Sequence, residues 1–164
     1  MILLRKGKEK DLSSIQEIAK ITWGPTYNGI LSKEQIDYML EMMYNRGALL
    51  DQLLEGYTFL IAEIESKDVG FASYSKLGDS QDAYKLHKLY VLPEVHGLGV
   101  GKFLINEVFQ QVKAAGGKSL QLNVHRANKS AEFYKKAGFI IKETVDLDVG
   151  NGFFMNDYVL EKTI

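Results

Sequence analysis

The fold is decided by one stretch of the sequence, LYVLPEVHGLGVGK at residues 89–102. The apolar run before Pro93 is typical of a strand, the three glycines form a loop, and Phe103–Ala115 has the spacing of an amphipathic helix. The first N–H groups of a helix have no intrahelical partner and carry the positive end of its dipole. Glycine allows an anion to approach that backbone closely. The stretch therefore predicts an anion-binding loop at a helix start.

Two common nucleotide-binding motifs do not fit this loop. A Walker A loop would need glycine at position 96 and serine or threonine at 103, where the chain has His96 and Phe103. A Rossmann fingerprint would need glycine at 102, or glycine or alanine at 104, and the chain has Lys102 and Leu104. Two alternatives stay open on the residues alone: an anion cradle of another kind, or a tight turn between strand and helix.

Outward from this stretch, the chain reads as β-α-α-β-β-β-α-β-α-β-β. Hairpins alternate with helical crossovers, so we expect an α/β fold with a mixed sheet and helices on both faces. Asp11 is predicted to cap the first helix, and Gly24-Pro25 to end it. No linker or internal repeat interrupts the pattern, which predicts a single domain over residues 1–164.

Composition narrows the functional classes. The 164 residues are 46% hydrophobic and 25% charged, as in folded globular proteins. Twenty Lys and Arg against 21 Asp and Glu argue against nucleic-acid binding, which needs a basic excess. The absence of cysteine excludes disulfides, thiolate catalysis and Cys-ligated zinc. Without a long apolar run or a signal-peptide pattern, we expect no membrane partner and a cytoplasmic location.

Two motifs together resemble the GNAT superfamily of N-acetyltransferases. Gly99 and Gly101 match its motif A, Gln/Arg-x-x-Gly-x-Gly/Ala after a strand, with His96 in place of Gln or Arg. Downstream, Asn123–Asn128 and then AEFYKKAGF at 131–139 resemble its motif B, although the gap from Asn to Tyr is one residue shorter here. The resemblance extends over the whole element order. It implies a mostly antiparallel central sheet of about seven strands.

The resemblance also implies a cofactor and the residues that bind it. Members transfer an acetyl group from acetyl-CoA to an amine, with no metal. The pyrophosphate is expected on the glycine loop, and the peptide-like pantetheine arm along the edge of the preceding strand, exposed where two parallel strands splay. The residues implied as cofactor-binding are Leu89, Tyr90, Val91, His96, Gly97, Leu98, Gly99, Val100, Gly101, Lys102, Asn128 and Tyr134.

The catalytic residues are predicted from the same motifs. Tyr134 matches the tyrosine beside the coenzyme sulfur and is assigned as general acid, with the adjacent Phe133 expected to face the core. His87 is the candidate base, because strand alternation places it on the same face as Leu89 and Val91, and histidine titrates near neutral pH. A structural His87, a catalytic His125 and an ordered water are the alternatives.

The acceptor is less well defined by sequence. Trp23 and Tyr27 follow the first helix, where family members shape the acceptor site, and Asp146, Asp148 and Asp157 near the last hairpin could attract a cation or merely be solvated. The layout resembles a bacterial subgroup that includes polyamine N-acetyltransferases. We therefore expect a small-molecule amine as partner, and a monomer or homodimer. A peptide N-terminus or amino acid as acceptor, a non-catalytic CoA-binding module and a generic phosphate-binding protein are the alternatives.

Overall fold

The computed structural model describes residues 1–164 as seven strands and five helices. The strands are β1 (Ile2–Lys6), β2 (Thr58–Ile64), β3 (Lys67–Lys76), β4 (Ala83–Val91), β5 (Ser119–His125), β6 (Ile140–Gly150) and β7 (Phe153–Thr163). The helices are α1 (Leu12–Tyr27), α2 (Lys33–Tyr44), α3 (Arg46–Leu54), α4 (Val100–Ala114) and α5 (Ser130–Lys136). This is the order that the sequence predicts, with α3 as a separate short helix.

All seven strands form one sheet, in the order β1-β2-β3-β4-β5-β7-β6. β4 and β5 run parallel, and every other neighbouring pair is antiparallel. A mixed, mostly antiparallel sheet of seven strands is thus confirmed. The parallel pair needs a crossover, which α4 supplies.

Helices cover both faces of the sheet. On β3, Gly70 lies against Leu104 of α4, while the next residue, Phe71, packs edge-on against Tyr44 of α2, with ring centroids 6.3 Å apart. Consecutive strand residues point to opposite faces, so α4 and α2 lie on opposite sides. The helices include no segment with the length and apolar character that crossing a bilayer requires.

The apolar stripes read from the sequence are buried. Leu12, Ile15, Ile18 and Ala19 of α1 lie in the core, as predicted. Sheet and helices share one cluster of buried side chains, which fixes the two helical layers against the strands.

Both predictions at the ends of α1 were wrong. Asp11 does not cap α1: its carboxylate accepts hydrogen bonds from the Lys8 N–H and from Arg5, at 2.9 Å each. Gly24-Pro25 does not end the helix, which continues to Tyr27, and the Asn28 N–H still bonds to the Gly24 carbonyl at 2.8 Å. A proline removes one N–H donor, and the rest of the last turn keeps its bonds. The extra turn brings Tyr27 against Tyr90 of β4, the central strand of the sheet.

Candidate active site

The parallel strands β4 and β5 part halfway along their length. They pair only over Ala83–Leu86 and Ser119–Leu122. Beyond that point a cavity of about 610 Å³ opens between them. It is lined by the second half of β4, the end of β5, the glycine loop, the start of α5 and the last turns of α1. The splay of two parallel strands, expected from the resemblance, is present.

A β-bulge lies in β4 where the strands part. Ser73 of β3 pairs with Lys88, but the next residue, Tyr74, pairs with Leu86, so that His87 has no partner. An extra residue reverses the alternation of side chains beyond it. Leu86 therefore faces α4, whereas Lys88 faces the side of α1 to α3. The prediction that His87 shares a face with Leu89 and Val91 was wrong for this reason.

His87 lies at the bulge in a closed environment. Its ring stacks on Tyr57 with centroids 4.3 Å apart, and its Nε2 lies 2.7 Å from the Ser75 hydroxyl. Burial, with smaller contributions from the charges of Lys88 and Lys85, lowers the pKa of His87 to about 3. The imidazole lines the cavity and is neutral throughout the physiological pH range.

The glycine loop presents five unpaired backbone donors. The N–H groups of Gly97 and of residues 99–102 make no hydrogen bond within the protein, and the first N–H satisfied by α4 is that of Phe103, bonded to the Gly99 carbonyl at 2.9 Å. Gly97 and Gly99 adopt positive φ angles of 87° and 82°, which turn the chain into the helix. These donors, together with the dipole of α4, make a strong anion site at one end of the cavity.

Two residues of the loop behave differently from its glycines. The His96 side chain turns back to the strand, with Nε2 3.1 Å from the Val91 carbonyl oxygen. Leu98 is 62% exposed and does not line the cavity, unlike the other residues predicted to bind the cofactor.

The edge of β4 offers peptide groups to the cavity. The Leu92 N–H bonds to the Val69 carbonyl on β3 at 2.8 Å. Because antiparallel strands alternate between bonded and outward-facing residues, Tyr90 bonds to β3 as well, whereas Leu89 and Val91 direct their N–H and C=O groups into the splay. An extended, peptide-like chain can pair with this edge as an added strand.

Tyr134 and Phe133 both line the cavity, which corrects the prediction that only one of them would. Adjacent helical residues point about 100° apart, and the cavity extends around that side of α5. Burial raises the pKa of Tyr134, and its hydroxyl makes no hydrogen bond within the protein. Phe133 lies beside Gly101, where an added Cβ would stand 3.5 Å from its ring. Asn128 holds the start of α5, since its Oδ1 accepts the Ser130 N–H at 2.9 Å.

Helix α1 closes the opposite end of the cavity. Thr22, Thr26 and Tyr27 line it, and the Tyr27 hydroxyl lies 3.3 Å from that of Tyr90. Trp23, predicted to contact substrate, is 1% exposed and packs beneath Tyr27, with ring centroids 4.5 Å apart. It supports this wall and does not reach the cavity.

Sequence reasoning missed Lys88, which also lines the cavity. Its Nζ donates to Oε1 of Gln52 at 3.0 Å and lies 5.4 Å from the centre of the Tyr44 ring. Burial lowers the pKa of Lys88 to about 8. A lysine is ordinarily expected in solvent, and the bulge turns this side chain from the α4 side of the sheet to the side of α1 to α3.

The remaining candidates do not line the cavity. His125 accepts the Ala127 N–H at Nδ1, at 3.1 Å, and does not line the cavity. Asp146 and Asp148 are exposed on β6, whereas Asp157 of β7 is buried. The side chains form no group suited to hold a metal ion.

The site combines two parallel strands that part, a glycine loop at a helix start and a tyrosine on the next helix. This combination defines the class of acetyltransferases that use acetyl-CoA. The sequence profile described as the acetyltransferase (GNAT) family matches residues 14–139. The chain belongs to this family. The predicted family, fold class and enzyme class, an acetyl-CoA-dependent N-acetyltransferase, are thereby confirmed.

Known proteins of the family resemble the chain, two over nearly its whole length and one over part of it. A spermidine N(1)-acetyltransferase of Thermoplasma acidophilum is 30% identical over 98% of this chain and 96% of its own. The crystal structure of PaiA N-acetyltransferase from Thermoplasma acidophilum in complex with coenzyme A superposes with a TM-score of 0.85 at 29% identity, covering 100% of this chain and 99% of that one. A [ribosomal protein bS18]-alanine N-acetyltransferase of Haemophilus influenzae is 30% identical over 57% of this chain and 62% of its own.

Proposed function

We propose that residues 1–164 form one acetyltransferase domain that transfers the acetyl group of acetyl-CoA directly to a primary amine of a small polyamine-like molecule. The observation that carries this proposal is the cavity itself, which joins five free backbone donors, an open strand edge and the unpaired hydroxyl of Tyr134. The spermidine acetyltransferase, similar over nearly the full chain, supports a polyamine as acceptor. A cytoplasmic location stays a prediction from the sequence.

Two parts of the cavity lining, the glycine loop and the edge of β4, suit acetyl-CoA. The free N–H groups of the loop would hold the pyrophosphate, with Lys102 adding a positive charge. The outward N–H and C=O groups of Leu89 and the N–H of Val91 would pair with the pantetheine amides. His96 binds the Val91 carbonyl in this structure, so its imidazole would contribute to the strand edge more than to a phosphate.

Tyr134 and the strand edge provide the groups for transfer. Acetyl-CoA supplies the activated thioester. An outward N–H of β4, at Leu89 or Val91, would donate to the acetyl oxygen as negative charge develops on it. Tyr134 is a neutral phenol at physiological pH, as tyrosines ordinarily are, and its cavity-facing hydroxyl would protonate the departing sulfur.

The proton of the attacking amine needs a separate acceptor. The lowered pKa of His87 makes it a weak base, and its Nε2 is already in contact with Ser75. We therefore assign the proton to water in the cavity, and His87 to the support of the bulge. This choice keeps the ordered-water alternative and sets aside the catalytic role predicted for His87.

A second acceptor class has support of its own. The ribosomal-protein alanine acetyltransferase is similar over 57% of the chain. The ammonium of Lys88 in the cavity lining also favours an acceptor that carries a carboxylate, such as an amino acid.

A binding assay followed by a transfer assay tests the proposal. Acetyl-CoA at a hundredfold excess over its dissociation constant should stabilise the protein by about 2.7 kcal/mol, and ATP should not match it. Thiol release is then measured with spermidine, simple diamines, amino acids and an alanine-terminated peptide. Release with polyamines above the other amines is the expected result. Stabilisation without release from any amine would support a non-catalytic CoA-binding module instead.

A further inference from the structure

One buried carboxylate, on the face of the sheet that α1 and α2 cover, has no adequate hydrogen-bond partner. Asp157 of β7 is 5% exposed, and its Oδ1 makes no hydrogen bond. Its Oδ2 has a single weak contact, the Asn123 side-chain amide at 3.5 Å. An ionised carboxylate buried in this way destabilises the fold, and buried polar atoms in native proteins nearly always find partners. The carboxylate therefore keeps an acceptor oxygen that no group of the protein uses.

The register of β7 places this carboxylate next to the cavity. Phe153 of β7 packs on Tyr38 of α2 with ring centroids 5.4 Å apart, and Asp157, four residues later, lies on the same face of the strand. That face is the side of α1 and α2. Asn123 lines the cavity and contacts Asp157 directly, and the Asp157 charge contributes to the raised pKa of Tyr27, another lining residue.

No cation of the protein neutralises Asp157 by contact. Lys85 of β4, His125 at the end of β5 and Arg126 just after it act on Asp157 only through the electric field. His125 uses Nδ1 to accept a backbone N–H, and Arg126 pairs with Asp146 on β6. Burial raises the pKa of Asp157, and a bound cation would reverse that effect.

We propose that Asp157, with Asn123 beside it, binds the non-reacting ammonium of a diamine or polyamine acceptor. The inference rests on the proposed function and names the residue that selects the acceptor. The reacting amine must be neutral to attack, and a carboxylate next to it would hold it in the protonated form. A second ammonium in the same molecule has no such restriction, and it would gain a charge-assisted hydrogen bond in a dry site.

The test compares a diamine with a monoamine of the same chain length in wild type and Asp157→Asn. The variant should raise KM for the diamine about tenfold or more, the loss expected for a hydrogen bond to a charged group. It should change kcat/KM for the monoamine less than twofold and leave KM for acetyl-CoA unchanged. Glu143→Gln removes an equal charge from the exposed side of β6 and serves as matched control. Equal losses for both amines, or no loss for either, would overturn the proposal.

Thermal stability supplies a readout that a purely structural aspartate would not give. Without ligand, Asp157→Asn should unfold at the same temperature as wild type or higher, because the substitution removes an unpartnered buried charge. In the presence of CoA, added diamine should stabilise wild type and not the variant. Asp157→Ser repeats both measurements with a smaller neutral side chain.

The same assays separate failure of this inference from failure of the proposed function. A wild-type enzyme that acetylates monoamines as well as diamines remains an acetyltransferase but refutes the role of Asp157. If none of the amines tested makes the wild-type protein release thiol from acetyl-CoA, the proposed function is refuted. If CoA-bound wild type is still stabilised by the diamine and Asp157→Asn is not, the ammonium site stands even in that case.

Discussion

The loop between β4 and α4 and the wall formed by the end of α1 border the same cavity, yet they offer a ligand different kinds of contact. The loop presents backbone N–H groups that are free because a helix begins there. The wall presents side chains such as that of Tyr27, and Asp157 of β7 lies behind the lining residue Asn123. Backbone recognition demands glycines at fixed spacing and is visible in the sequence, whereas side-chain recognition depends on which strands lie side by side.

The largest effect should come from the loop, through Gly99→Val. Gly99 has a φ of 82°, where a β-branched residue is strongly disfavoured, so the substitution should displace the N–H groups of the cradle. We expect the dissociation constant for acetyl-CoA to rise about 100-fold, the equivalent of about 2.7 kcal/mol. Isothermal titration of acetyl-CoA measures it.

Gly116→Val is the matched control for that substitution. Gly116 follows the other end of α4 with a φ of 88°, and an added Cβ would meet nothing within 4 Å, as at Gly99. Both variants should lose similar stability, and only Gly99→Val should lose affinity. Equal affinities in the two variants would show that the loop glycines serve the turn alone.

Tyr134→Phe should have the next largest effect, on turnover rather than binding. The hydroxyl faces the cavity without an internal partner, so its loss should leave the fold intact and remove the proposed proton donor. General acids contribute about 100-fold or more, so kcat should fall by that order while the dissociation constant for acetyl-CoA changes less than twofold.

Tyr74→Phe provides the comparison for Tyr134→Phe. The Tyr74 hydroxyl bonds to Gln111 of α4 at 2.6 Å, away from the cavity. The Tyr74→Phe substitution should lower the free energy of unfolding and leave kcat unchanged. If Tyr134→Phe retains wild-type turnover, another group must protonate the sulfur.

The contrast between loop and wall explains how much could be predicted from the sequence. The motifs around Gly99 and Tyr134 together predicted the family, and apolar spacing predicted the order of elements. The glycine loop predicted the region of the cavity. Each of these follows from local spacing. The orientation of Lys88 could not be predicted, since it depends on an extra residue in β4 that only the pairing with β3 shows. The burial of Asp157 likewise arises because β7 inserts between β5 and β6.

Lys88 gives a smaller effect and tests the acceptor side through pH. Its pKa is about 8 in the folded protein and about 10.4 in an unfolded chain. Between these values the unfolded state binds more protons, so this lysine makes stability rise with pH over that window. Lys88→Met should abolish a rise on the order of 2 kcal/mol.

Urea unfolding at pH 7.5 and at pH 10 measures the rise from Lys88. Lys20→Met, at an exposed position on α1, should keep the wild-type rise. An equal rise in both variants would mean that Lys88 is charged and well solvated in the folded state. In that case its ammonium would be free to bind an acidic acceptor, and the amino-acid alternative would gain weight.

His87→Gln should produce the smallest effect. Glutamine keeps a polar contact with Ser75 but cannot serve as a base. Because the pKa of His87 is about 3, the imidazole is neutral from pH 5 to pH 9 and contributes no inflection to the rate in that range. We expect kcat to fall less than threefold with an unchanged pH profile, measured by thiol release. A loss of about 100-fold, with disappearance of a step near neutral pH, would restore His87 as the base. It would also mean that cofactor binding raises the pKa of this ring, so that loop and wall would no longer act separately.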